Sequence, residues 1–366
     1  MNSRERILAA LNGSDMDRLP ICEIGIWPET EQRWRTEGMP EDVSLADYFN
    51  LDKISILSYN PSLMLPAKVM EENESFVVAT DGDGNTYKQL RNRGQSPPNY
   101  IDFSVKSPDD WAKLRGNLNA DLARFEEYLI DPVFAGLLDV NHKTLYEKAK
   151  AEDVFLVIAP IEPCWYFLRL LGEENALMTM ALDPDFAEQI MSDYTDFVMK
   201  MLKLIYTNGY TFDALWVFSD MCYKNGMLFS PDFYKKRVMP YQQQIFGFAR
   251  ENGMKTIYHC DGYVGDFIPL LIEAYVDCVQ PLEARAGNDI RDYIYKFPET
   301  SFIGNINADV LASGSKEKIY EEISSKVKAA KDSKRYIIHS DHSVPVTVKL
   351  DDYKYAIEIA NQFAGF

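Results

Sequence analysis

The sequence predicts an α/β fold, a (β/α)8 TIM barrel with a hairpin-containing insertion after the second strand. Three observations carry that prediction. Eight short β-branched or aromatic runs alternate with longer helical patterns, which argues for a parallel sheet. The chain has 366 residues and 46% hydrophobic content, ample for one large core and long for a sandwich or bundle. Polar residues gather where the proposed strands end, the face on which such barrels build their sites.

The runs are Leu19–Ile24, Lys53–Ser58, Val154–Ala159, Ala214–Ser219, Thr256–His259, Asp277–Pro281, Ser301–Ile306 and Tyr336–Ser340. Between them the spacing predicts helices over Pro184–Tyr206, Pro231–Asn252, Ile268–Tyr275 and Lys316–Lys331. Ser or Asp before Pro marks helix starts, as at Asp183-Pro184 and Ser230-Pro231, and Asn-Gly pairs mark ends, as at Asn208-Gly209 and Asn252-Gly253. One stretch breaks the alternation. Lys68–Ala79, the Asp81-Gly82-Asp83-Gly84 turn and Thr86–Leu90 read as a hairpin, followed by helical segments near Pro108–Leu114 and Ala120–Leu129. Residues 61–130 are therefore expected as an insertion in a single barrel of residues 1–366, either covering the barrel mouth or serving as plain decoration. The Asp-Gly turn lacks the Glu that would close a calcium loop.

Bulk properties narrow the partners. A net charge of −18 argues against nucleic acid and anionic membrane surfaces, and no run approaches the roughly 18 apolar residues of a membrane span. Five scattered cysteines with no CxxC pair argue for reduced thiols. A cytoplasmic enzyme acting on a small molecule is expected, and a homodimer is compatible with the sequence. Dinucleotide, P-loop and serine-hydrolase motifs are absent.

The strand ends carry Glu23, Tyr59-Asn60, Glu162, Asp220, His259 with Asp261, Glu283, Asn305 with Asn307, and His339 with Asp341 and His342. Side chains two apart on a strand share a face, so His259 and Asp261 form a two-ligand platform for zinc or another divalent ion, with Cys260 between them pointing away. A hydrogen-bonded, metal-free His259 is the alternative. His342 follows the last strand and is better placed over the site than His339; Asp341 suits the capping of backbone amides. Asp220 and Glu283 end apolar strands and are candidate acids or bases, second-sphere partners of a ligand histidine, or salt-bridge partners of nearby bases. Trp27 and Trp165 could line a pocket. Glu162, Asn307 and His339 complete the candidate substrate-binding set.

Several of these residues carry a family resemblance over nearly the whole length. Ser3–Gly13, Asp17-Arg18-Leu19-Pro20, Asp220-Met221 with Ser230-Pro231, His259-Cys260-Asp261-Gly262, Pro281-Leu282-Glu283 with Ala286-Gly287, and His342-Ser343-Val344-Pro345 together resemble the uroporphyrinogen decarboxylase superfamily, which includes corrinoid-linked methyltransferases. True decarboxylases of that group use arginines near the first strand. Here Ile21–Pro28 holds no arginine and adds Glu23. The methyltransferase branches bind zinc through His-x-Cys and a later Cys; His259 matches the first ligand, Asp261 stands at the first Cys and His342 at the second. The resemblance therefore implies a methyltransferase of the O-demethylase type. It would move a methyl group from a small donor, such as a methoxylated aromatic, to a corrinoid protein, with zinc at His259, Asp261 and His342 and catalytic roles for Asp220 and Glu283. The alternatives are a decarboxylase or lyase of a small carboxylate, with Asp220 or Glu283 as proton donor, and a non-catalytic corrinoid- or tetrapyrrole-binding protein.

Overall fold

Seven parallel strands form the central sheet: β1 (Ile54–Leu57), β2 (Phe155–Ile158), β3 (Ala214–Phe218), β4 (Lys255–His259), β5 (Cys278–Gln280), β6 (Ser301–Ile306) and β7 (Tyr336–Ser340). They neighbour one another in chain order. The computed structural model describes residues 1–91, 98–127 and 141–366. Between consecutive strands the chain crosses back through helices such as Pro184–Thr207 and Lys316–Lys331, giving the predicted (β/α)8 architecture.

The eighth position is filled differently from the expectation. Leu19–Ile24 does not form an extended strand; only Ile21 bridges to Ile338, in parallel. The amides explain why. Pro20 has none to donate, Ile21 N–H goes to the Asp52 carboxylate at 2.8 Å, and Ile24 N–H goes to the His339 ring at 3.2 Å. The segment still closes the barrel. Cys22 donates to the Ile338 carbonyl at 3.0 Å and Ile338 to the Pro20 carbonyl at 2.9 Å on one side, while Asp52 N–H donates to the Ile21 carbonyl at 2.7 Å beside β1.

Asp52 is the closing node. Its side chain is 1% exposed, and it takes Arg18 at 2.7 Å and Arg6 as well as the Ile21 amide. Arg6 lies on the N-terminal helix Ser3–Asn12, which an Asn2–Glu5 capping box starts. That helix sits against the N-terminal ends of the strands: Ser301 Oγ donates to the Ala10 carbonyl at 3.0 Å and Arg335 reaches the Leu11 carbonyl. The bottom of the barrel is thus plugged, and the C-terminal mouth is left for the site.

Two predicted elements are broken by identifiable residues. Lys68–Ala79 is two strands, Val69–Glu72 and Phe76–Thr80, because Asn73 Oδ1 captures the amides of Ser75 and Phe76 and turns the chain. With Thr86–Leu90 and Asn99–Asp102 they form a four-stranded antiparallel sheet between β1 and β2. Its Asp-Gly turn is held by Asp81 Oδ1, which accepts from Asp83 and Asn85 at 2.9 Å. The turn is tied to the helix Pro163–Leu171 through Tyr166 OH on Asp83 at 3.0 Å. Residues 92–97 and 128–130 of the expected insertion, and the end of the expected helix Ala120–Leu129, lie outside the described residues. The predicted helix Pro231–Asn252 is likewise interrupted. A wide π turn over Tyr234–Val238 precedes Met239–Glu251, where Pro240 cannot supply a helical amide.

Alternate residues of the barrel strands face the surrounding helices. Val217, Tyr258, Val279 and Phe302 are at most 1% exposed, and Tyr258 packs edge-on to Phe267 and Phe246. Each such side chain contributes about 1.5–3 kcal/mol by leaving water. Among the described residues no helix is long and apolar enough to cross a membrane.

Asp52 is the acid partner of Arg18, shares Arg6 with Asp17, and accepts from the Ile21 amide, so Asp52→Ala strips the buried closure of the carboxylate that joins these groups. We expect the variant to lose about 3 kcal/mol of stability, read as a lower urea midpoint; a wild-type midpoint would contradict the closure described.

Candidate metal and catalytic site

Parallel register puts the site together. Phe218, His259 and Gln280 are paired neighbours at the ends of β3, β4 and β5, so their side chains share one face. Phe218 lies 4.9 Å from His259, ring to ring, and stacks at 5.9 Å on Trp216 beneath it. His259 Nδ1 contacts Gln280 Oε1 at 2.5 Å. The chain beyond β4 then turns sharply. Gly262 has φ +85°, and a Cβ there would meet the Tyr223 carbonyl oxygen at 2.7 Å, the group that accepts from Tyr263 N–H at 3.0 Å. Gly304, in β6, is under a comparable constraint: at φ +118° its Cβ would fall 1.7 Å from the Pro281 carbonyl oxygen.

The ionisable groups converge on Asp261. His259 Nε2 is 3.9 Å from Asp261 Oδ1 and 3.6 Å from Asp220 Oδ1, and His342 Nε2 is 3.5 Å from Asp261 Oδ2. Asp220, His259 and Asp261 form one group whose ligand atoms lie within 4.8 Å of one another; Asp261, Glu283 and His342 form a second. Asp261 belongs to both. Its Oδ1 is buried and accepts no hydrogen bond. Asp220 accepts from Asp261 N–H at 3.1 Å, and Glu283 accepts from Gly262 N–H at 2.7 Å, with Arg285 3.6 Å from its other oxygen.

These environments separate the carboxyl groups. Burial raises the Glu283 carboxyl above the ordinary range, with the Asp261 charge adding to it, against the Gly262 amide, His342 and Arg285. Burial raises Asp220 too, against the favourable field of His259. Burial also pushes Asp261 upward, but His342 and His259 together bring it below the ordinary range. His342 is raised, first by the Asp261 carboxylate 3.5 Å away and against its own burial. The cluster therefore holds one committed anion, Asp261, beside two carboxyls that keep their protons to higher pH.

The other predicted residues are placed as follows. Asp341 is fully buried and clamps two loops, accepting from Ala284 N–H at 3.0 Å and Ala308 N–H at 2.9 Å. It thereby sets the start of the segment after Glu283. His339 is buried away from the cluster; its Nε2 is 3.0 Å from Glu23 Oε1, both side chains 2% exposed. Glu162 is fully buried and caps the helix Pro163–Leu171 through Trp165 N–H at 2.8 Å; it also accepts from Ser219 and Gln242. Asn307 caps Ala308–Ala312 with its own side chain. Trp27 and Trp165 are half-buried at helix starts. Cys260 is fully buried. The sequence reading passed over Gln280, Phe218 and Arg285 as site residues. The position of Gln280 beside the strand-end His259 was the signal for it.

The donor types suit a zinc ion, and they fall in two sets that share Asp261: Asp220, His259 and Asp261, with His259 facing Oδ1, and Asp261, Glu283 and His342, with His342 facing Oδ2. With bonds of about 2.0–2.2 Å, atoms around a tetrahedral zinc stand ~3.3–3.6 Å apart. His342 at 3.5 Å from Asp261 Oδ2 falls within that spacing, whereas His259 at 3.9 Å from Oδ1 lies beyond it; both separations are too long for good hydrogen bonds.

Comparisons with known proteins bear on the family and the fold. A methyltransferase from Methanosarcina mazei superposes over 99% of both chains, with a TM-score of 0.68 and 16% identity. A glycosylated endo-β-1,4-xylanase of glycoside hydrolase family 10 from Gloeophyllum trabeum matches at a TM-score of 0.37 and 13% identity, covering 60% of this chain and 79% of its own. No curated protein sequence matches the chain. The profile of the family described as Uroporphyrinogen decarboxylase (URO-D) matches residues 154–363, a span that contains β2 to β7 and every residue of the cluster. The chain belongs to the uroporphyrinogen decarboxylase family.

Proposed function

We propose that this protein is a methyltransferase that moves a methyl group from a small donor, a methoxylated aromatic fitting best, to a corrinoid carried by a partner protein. The observation that carries the reading is the orphaned, buried Oδ1 of Asp261, 3.9 Å from His259 on a carboxylate whose other oxygen faces His342. An ionised carboxylate with one buried oxygen lacking a donor is costly unless a cation completes it. His259, Asp261 and His342 would hold zinc, and the chemistry a bound zinc supplies is Lewis acidity toward the leaving oxygen.

The chain's own residues account for the rest. Glu283 stands beside the ligands with its carboxyl held up by burial, so it is suited to deliver a proton. As the methyl–oxygen bond breaks, its electron pair stays on oxygen, which takes the Glu283 proton, and the methyl group passes to the corrinoid. Asp220 holds the Asp261 backbone and so positions the central ligand. Phe218, stacked on the fully buried Trp216, supplies an aromatic face beside His259, and Trp27 and Trp165 are the candidate outer walls for an aryl group. The two imidazoles and carboxylate make a harder site than one with thiolates, which favours an oxygen leaving group over thiol activation. Decarboxylation of a polyanionic tetrapyrrole fits poorly, since the first barrel segment carries Glu23 and no arginine.

Protein purified without added metal should contain zinc at about one per chain by elemental analysis, and His259→Ala should lose both the metal and methylation of a Co(I) corrinoid by methoxylated donors. A metal-free, inactive wild type that releases CO2 from small carboxylates would replace this reading with a decarboxylase. The sign of the pH effect follows from Glu283. Its raised carboxyl must be protonated to act, so turnover falls as pH rises through that raised value, above the free glutamate's ordinary 4.5. Glu283→Gln should be slower by roughly 100-fold and lose that descending limb; a variant keeping the limb would assign the proton to another group.

A further inference from the structure

We propose that Gln280 is the positioning residue of this site: through its amide oxygen it fixes the Nδ1–H tautomer of His259 and presents a bare Nε2 to Asp220 and Asp261. Parallel register places Gln280 directly beside His259, and the strands are pinned there by Cys260 N–H donating to the Gln280 carbonyl at 2.9 Å. Gln280 is 3% exposed, so no water competes freely for its side chain. The 2.5 Å contact joins His259 Nδ1 to an amide oxygen, an acceptor, so that nitrogen carries the proton.

The opposite tautomer is poorly served. A proton on Nε2 would face its nearest carboxylates, Asp220 at 3.6 Å and Asp261 at 3.9 Å, both beyond hydrogen-bond range. Free histidine in water favours the Nε2–H form, so the protein reverses an intrinsic preference. Side-chain type matters as well. A glutamate would offer the same oxygen but add a fourth carboxylate to Asp220, Asp261 and Glu283; glutamine orients the ring without that charge. His342 is differently placed, half-buried with Asp261 as its near ionic neighbour. The inference makes His259 the preset ligand and assigns the ring lone-pair donation rather than acid catalysis, and it rests on the metal reading only for its effect on zinc.

The chain has four histidines, so 15N-labelled histidine resolves them in full-length protein stripped of metal by chelator, with His259→Asn assigning the resonance. We expect a protonated Nδ1 and a bare Nε2 at His259. Gln280→Met should shift the ring toward the Nε2–H form and weaken zinc binding roughly 10–100-fold, measured by competition with a chromophoric chelator. Gln280→Glu keeps the accepting oxygen and should retain Nδ1–H, which preserves the test if the Met variant fails to fold. A wild-type ring protonated on Nε2, or a folded Gln280→Met protein with unchanged tautomer and zinc affinity, would overturn the proposal. An Nδ1–H ring in a protein that binds no zinc would support the Gln280 assignment and remove the metal reading instead.

Discussion

Asp261 is an ionised carboxylate set between two imidazoles, with one buried oxygen left without a donor. The rest of the mouth is arranged around that charge. Asp220 holds its backbone amide, Glu283 holds the next amide at Gly262, and Asp341 anchors the loop that carries Ala284. A buried anion in this position is tolerated only where opposite charge is supplied. The same charge helps to keep Glu283 and Asp220 protonated. One electrostatic constraint therefore sets the protonation of the whole cluster.

The barrel serves this arrangement by register. Parallel register brings Phe218, His259 and Gln280 abreast, and two glycines permit the close backbone passages behind them. At the opposite end, Asp52, Arg6 and Arg18 close the sheet where the Ile21 segment is too irregular to do so by ladder hydrogen bonds alone. Stability and chemistry occupy opposite ends of the strands, as the architecture requires.

Much of this was legible in the residues. The seven ladder strands were readable because each is a short apolar run between helix caps; His259 and Asp261 do come within 3.9 Å, but Asp261 lies past the end of β4, so the turn there and not strand alternation brings them together. What escaped were interactions spanning long stretches of chain. Asp52 takes the Ile21 amide from 31 residues away, and no local pattern announces that. Asn73 splits an apparently continuous strand by capturing two amides. Glu162 and His339 stand near strand ends but find partners outside the cluster, Gln242 and Glu23 respectively. Strand-end position predicted a shared mouth, whereas side-chain direction there depends on partners that spacing does not reveal.

X-ray absorption at the zinc edge tests the central claim most directly. Two imidazoles and Asp261 predict a shell of nitrogen and oxygen at about 2.0–2.2 Å with two rings' worth of outer scattering. A sulfur shell at about 2.3 Å would mean that Cys260 or another thiol, not Asp261, completes the site, and would contradict this account.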